Sequence, residues 1–204
     1  MPTYVKMIVV LSLITLVSGL ALGALNEMTY EQAENNILKF KKIPAVASIY
    51  TSLLGSEESK EVIEEKLLKE KISVDLGGET PELIFVIKKD GKPHAITLER
   101  FGQGFGGSLG VITGFLLETG QVVGIGITTM SETPGVGTRV TEAAFVEQFS
   151  KITESTIIKV KKDGGSIDAI AGATISSRAV AFAAEQANIE FKKHKDKIIQ
   201  SVNQ

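Results

Sequence analysis

The chain opens on an apolar run that carries no charge from Met7 to Leu25, with Lys6 just before it. A helix crossing a bilayer core needs about 20 apolar residues, so Val5–Leu25 is predicted to span a membrane. Ala21 and Gly23 have the size and spacing of a leader-cleavage site, but the apolar run is long for a cleaved leader. Residues 1–27 are therefore read as a retained anchor. Lys6 and the amino terminus precede the span, which points to a cytoplasmic N-terminus with the remaining chain on the outer face.

Residues 28–80 are predicted to be helical and close to the membrane. "MTYEQAENNILKFKKI" (28–43) places Ile37, Leu38 and Phe40 in a polar helical context, with Thr29 as N-cap. "SKEVIEEKLLKEKISV" (59–74) repeats the pattern, with Val62, Ile63, Leu67 and Leu68 on its apolar side. From Pro81 the period changes to two. "ELIFVIKK" and "KPHAITLE" flank Asp90-Gly91, and "GVITGFLL" and "QVVGIGITT" flank "ETG". Both read as hairpins, giving an antiparallel sheet of at least four strands.

Beyond the sheet, "TEAAFVEQFSK" reads as a short helix with Phe145 and Phe149 at i, i+4. "STIIKVKK" reads as a further strand and "DGGS" as a turn. Residues 177–197 read as a long helix with Val180, Phe182, Ala184 and Ala187 on or near its buried side. The fold class is α+β: one N-terminal transmembrane helix, then an antiparallel sheet with helices over residues 81–204.

Composition narrows the chemistry. A net charge of −2 supplies no basic footprint for nucleic acid. The absence of Cys excludes disulfides, thiolate metal sites, iron–sulfur clusters and a Cys nucleophile within this chain. His94 and His194 lie far apart among surface-type residues, so no metal site is expected.

Three loops exceed the needs of a plain sheet-and-helix domain: "GQGFGG" (102–107), "SETPGVGT" (131–138) and "AGATISS" (171–177). The first resembles a nucleotide-binding glycine loop but lies between strands instead of opening a helix, so it fails the dinucleotide-fingerprint test. In the third, Gly172 and Ala173 clear bulk ahead of Thr174, and Ser176 and Ser177 are placed to cap a helix start that favours an anion. The Thr174 hydroxyl has no His or Lys neighbour in sequence to activate it. Any covalent change at Thr174 is thus expected to be another enzyme's work.

Together these motifs resemble the FMN-binding domain shared by the G subunit of Rnf electron-transport complexes and the C subunit of the sodium-pumping NADH:quinone reductase. The resemblance covers essentially the whole chain. It implies FMN carried covalently on Thr174 through its phosphate, attached by a flavin transferase that takes FAD as donor and reads Asp168, Gly172, Ala173 and Thr174. It also implies cofactor contacts from Gly104, Phe105, Gly106, Glu132, Thr133, Pro134, Gly135, Gly172, Ala173, Ser176 and Ser177, no catalytic residue in the chain itself, and no metal.

The implied role is an electron-carrying subunit, not catalytic alone, of an ion-translocating ferredoxin:NAD+ oxidoreductase in the cytoplasmic membrane. Its partners would be the other membrane subunits, with Gly19 and Gly23 spaced for close helix packing. Chain length favours this over membership in the sodium pump. A stand-alone extracellular flavin reductase and an anchored module without flavin are the other classes. The family usually has Ser or Thr where this chain has Ala171, so one hydroxyl near the phosphate is missing.

Overall fold

The computed structural model describes residues 2–56, 58–78, 80–153 and 156–203. Backbone contacts divide the chain into two compact units, residues 1–40 and 41–204. The first unit is helix α1, Thr3–Ile37, none of whose residues is buried. It is long and apolar enough to cross a membrane. No cap interrupts it at residue 28: Thr29 lies inside it and donates its hydroxyl to Leu25 O at 2.8 Å. Nothing between Asn26 and Asn36 breaks a helix, so the separate helix expected over 28–43 is the continuation of α1.

A π-helical turn, Leu38–Lys42, precedes helix α2, Ile43–Leu54, which the apolar pattern did not reveal. Its ends are legible in hindsight. Pro44 sits in its first turn, where its lost N–H costs nothing, and Gly55 closes it in the left-handed conformation. Helix α3, Lys60–Lys69, buries Ile63 and Leu67 but leaves Val62 exposed. It stops short of the expected end because residues 71–74 are a strand.

The sheet has five strands in sequence order: β1 (Lys71–Val74), β2 (Glu82–Lys89), β3 (Lys92–Gln103), β4 (Ser108–Leu116) and β5 (Val122–Thr129), each antiparallel to the next. Asp90 and Gly91 both take positive φ at the β2–β3 turn, as a two-residue hairpin requires. Strand alternation gives the sheet two apolar faces. On one, Ala45 and Ile49 of α2 approach Gly126 and Gly114; a Cβ at Gly126 would lie 2.7 Å from that of Ala45. Under this layer Lys42 Nζ lies 2.7 Å from Glu99 Oε2, and the Thr128 hydroxyl donates to the other Glu99 oxygen.

The other face packs against helix α5, Thr174–Val202. Phe115 stacks on Phe191 with ring centroids 4.7 Å apart. Helix α4, Ala143–Val146, and the 3-10 turn Glu147–Lys151 complete this layer, and Phe145 meets Phe149 edge-on as their spacing implied. Phe182, placed on the buried side by the periodicity, is 54% exposed. Its row, with Ile175 and Ile189 at seven-residue intervals, lies opposite the Val180, Ala184 and Phe191 side that carries the packing. A strand over 155–162 does not form. Residue 155 lies outside the described residues, and the rest contributes only a bridge from Val160 to Ile167 before the turn Lys161–Asp163. His194 marks a kink in α5 and is largely covered, 3.0 Å from Glu190 Oε1, rather than freely solvated.

Thr113 is fully buried on β4, and its hydroxyl has no hydrogen-bond partner among the described residues. Val has the same shape without the stranded polar group. Thr113→Val should stabilise the detergent-solubilised chain by about 1 kcal/mol, raising Tm by about 2–4 °C in a thermal melt.

Candidate functional site

The three unusual loops meet around one side chain. Glu132 follows β5 and is 7% exposed. Its Oε1 accepts the Gly106 N–H at 3.2 Å, from the β3–β4 loop. Its Oε2 accepts the Ser176 hydroxyl at 2.7 Å, from the first turn of α5. The carboxylate therefore fastens the first and third loops to the second. A Cβ at Gly104 or Gly137 would overlap this carboxylate, and one at Gly106 would overlap Ser131 O. These glycines admit a buried acid between loops.

The rest of the constellation is built outward from this staple. Gly104 N–H donates to Gly107 O at 2.8 Å and closes the β3–β4 loop, leaving Phe105 71% exposed. Gly102 lies so close to Ala179 that any side chain there would strike the α5 backbone. Thr133, Pro134 and Gly135 lie on a turn that holds itself by Val136 N–H to Thr133 O and Gly135 N–H to the Thr138 hydroxyl. All three are exposed.

The start of α5 differs from the sequence reading. The helix begins at Thr174, its N-cap is Ala173, and no side chain caps it. Ser177 is fully buried, donates to Ala173 O at 2.9 Å and accepts the Ile170 N–H at 3.0 Å. Ser176 is spent on Glu132. The expected capping role of both serines is thus corrected: they lie one turn too far along and face inward. Gly172 supplies a positive φ of 82° at the turn into the helix.

Thr174 is half-buried, and its hydroxyl makes no hydrogen bond among the described residues. The N–H groups of Thr174, Ile175 and Ser176 have no backbone acceptor there, whereas that of Ser177 reaches Ala173 O. A free hydroxyl beside three free N–H groups at a helix's positive end fits a phosphate ester.

Asp168 stands apart from the staple. Its carboxylate pairs with Lys161 Nζ at 2.7 Å, and its main chain is gripped by the Gln148 side chain. Nearby, Arg178 meets Asp163 through two hydrogen bonds and holds the Asp163 carboxyl below its ordinary range. Sequence reading missed Gln148 and Arg178. Gly137 was read as part of "ETPGVG", but no local signal links Gln148 to a segment 20 residues on.

Residues 104–188 match the FMN-binding domain family. The G subunit of the ion-translocating oxidoreductase complex of Shewanella piezotolerans is 28% identical over 181 residues, covering 85% of this chain and 82% of that protein. Its namesake from Vibrio atlanticus is 34% identical over 120 residues, 55% of this chain and 57% of that one. That from Salmonella typhimurium is 35% identical over 119 residues, again 55% and 57%. The chain thus spans a little over half the length of these two relatives. Among solved structures, the C subunit of the Na(+)-translocating NADH-quinone reductase from Parabacteroides distasonis shares the fold, with a TM-score of 0.51 at 19% identity over 72% of this chain and 90% of that one.

Proposed function

Because residues 104–188 match the FMN-binding domain family, we propose that this chain is the membrane-anchored flavoprotein of an Rnf-type ion-translocating oxidoreductase complex, carrying FMN covalently on Thr174. The observation that carries the attachment is the state of the hydroxyls in "ATISS". Ser176 and Ser177 are buried and engaged, whereas the Thr174 hydroxyl is free. The G-subunit relatives supply the complex.

Thr174 is the acceptor in maturation. Its oxygen forms the new bond to the flavin-side phosphorus of FAD, the phosphoanhydride bond breaks, AMP leaves, and the hydroxyl proton passes to solvent. A flavin transferase supplies the FAD and the activation that the chain lacks. Once attached, the flavin supplies one- and two-electron carriage. The chain's own residues then bind and orient. The free N–H groups of the α5 start would hold the phosphate, and Glu132 fixes the β3–β4 loop to that start. Phe105 and the Thr133–Gly135 turn offer an exposed surface for the ring. Helix α1 anchors the chain with its amino terminus in the cytoplasm and the flavin domain outside. The complex would pass electrons between ferredoxin and NAD+ and couple them to Na+ or H+ movement.

Expression of the full chain with and without a flavin transferase tests this. A band fluorescent under ultraviolet light on a denaturing gel is expected only with the transferase. A dark band in both overturns the covalent reading.

A further inference from the structure

We propose that Gln148 is a positioning residue for cofactor loading: its side-chain amide fixes the main chain of Asp168, ahead of the turn that leads to Thr174, in a form that the loading enzyme can engage. The inference rests on the reading of Thr174 as the attachment point.

The segment between the turn at Lys161–Asp163 and the start of α5 belongs to no strand or helix, so its conformation needs another source. At one end, Ile167 is tied by main-chain bonds: its N–H donates to Lys159 O at 3.0 Å and its carbonyl accepts the Lys161 N–H at 2.8 Å. At the other end, Ile170 N–H donates to the Ser177 hydroxyl at 3.0 Å. Between them, among the described residues, the hold on the main chain is Gln148. Its Oε1 accepts the Asp168 N–H at 2.7 Å, and its Nε2 donates to Asp168 O at 3.3 Å. A primary amide facing one residue's N–H and C=O reproduces the pairing of a neighbouring strand.

Gln148 sits on the 3-10 turn after α4, beside the buried ring of Phe149, so this surrogate strand is mounted on the core. The grip leaves the N–H groups of Ala169, Ala171 and Gly172 without backbone partners among the described residues. Asp168, Ala171 and Gly172 are exposed. The fixed Asp168 main chain thus leads into an accessible turn, closed by Ala173 N–H to Ile170 O at 3.0 Å, that ends at Thr174. An enzyme that engages this stretch meets Asp168 in one main-chain form. Without Gln148 the segment would occupy that form only part of the time, and apparent affinity falls by that fraction.

The test uses the full chain in detergent as substrate, with purified flavin transferase, FAD and Mg2+, following covalent fluorescence against substrate concentration. Gln148→Ala should raise KM for the chain about tenfold, the worth of two neutral hydrogen bonds, with kcat held within about twofold. Hydrogen exchange at the Asp168 amide should accelerate, while exchange in β3 and β4 stays as in the wild type. Gln148→Glu at pH 8 should fall between Gln148→Ala and the wild type, because the carboxylate still accepts the Asp168 N–H but cannot donate to Asp168 O. It should approach the wild type, compared at the same pH, as acid protonates it and restores the donor.

An unchanged KM in Gln148→Ala overturns the inference, as does a Gln148→Glu defect independent of pH. Faster exchange throughout the sheet would mean general unfolding and would also overturn it. A wild-type chain that takes up no flavin overturns the reading of Thr174 itself, and is distinguishable because the comparison among Gln148 variants then has no signal.

Discussion

Thr174→Ala is expected to abolish covalent flavin. Expressed with the flavin transferase, the variant gives a band at wild-type level by protein stain and no fluorescence on a denaturing gel. The loss is complete because the neighbouring hydroxyls cannot substitute. Ser176 is 2% exposed and donates to Glu132, and Ser177 has no exposed surface and bridges Ala173 and Ile170. Freeing either would unpick the start of α5. The fold itself is indifferent to the change: the Thr174 hydroxyl holds nothing, and Ala is a good helix former. The thermal midpoint should therefore stay within about 2 °C of the wild type, the shift expected for a surface substitution. Residual fluorescence on Thr174→Ala would move the attachment to another residue.

Glu132→Ala has the largest effect on the fold. Removing the carboxylate strands the Gly106 N–H and the Ser176 hydroxyl and empties a space that Gly104 and Gly137 leave open. Hydrogen bonds to a charged group contribute about 1.5–3 kcal/mol each, partly offset by release of the buried charge. A loss of about 2–4 kcal/mol follows, read as a lower denaturant midpoint. Glu132→Gln keeps an acceptor for Gly106 and a donor for the Ser176 oxygen, leaving only the serine proton unplaced, so its cost is about 1 kcal/mol. Flavin uptake should fall in the same order, Ala far below Gln. Equal stability of Glu132→Ala and the wild type would show that the staple holds nothing.

What the sequence revealed follows from the range of the interactions involved. The two hairpins and the apolar N-terminal run are local patterns of period two or of bulk hydropathy, and they stand where expected. Strand β1 was lost because four residues of "KISV" trail a helical pattern and declare themselves only by pairing with β2. Helix α2 was lost because its polar side is only Ser48, Thr51 and Ser52, at i, i+3, i+4, a short signal within an otherwise apolar stretch. The motif residues were visible by composition, but their division of labour was not. That Glu132 faces inward to Ser176, and that Ser177 points back along the chain instead of capping, depends on how α5 sits on the sheet. Gln148 and Asp168 are joined only in three dimensions.

The staple also sets an order of events. It joins positions 26 and 44 residues apart, and its second partner lies on the final helix of the chain. Contacts of such span form late, after their intervening segments have paid their closure entropy. An acceptor hydroxyl framed by a completed α5 start therefore exists only in a finished domain. On the proposed attachment at Thr174, loading would then work as an inspection stamp: a chain that bears its flavin would already have folded, and one that misfolds would offer the transferase nothing to mark.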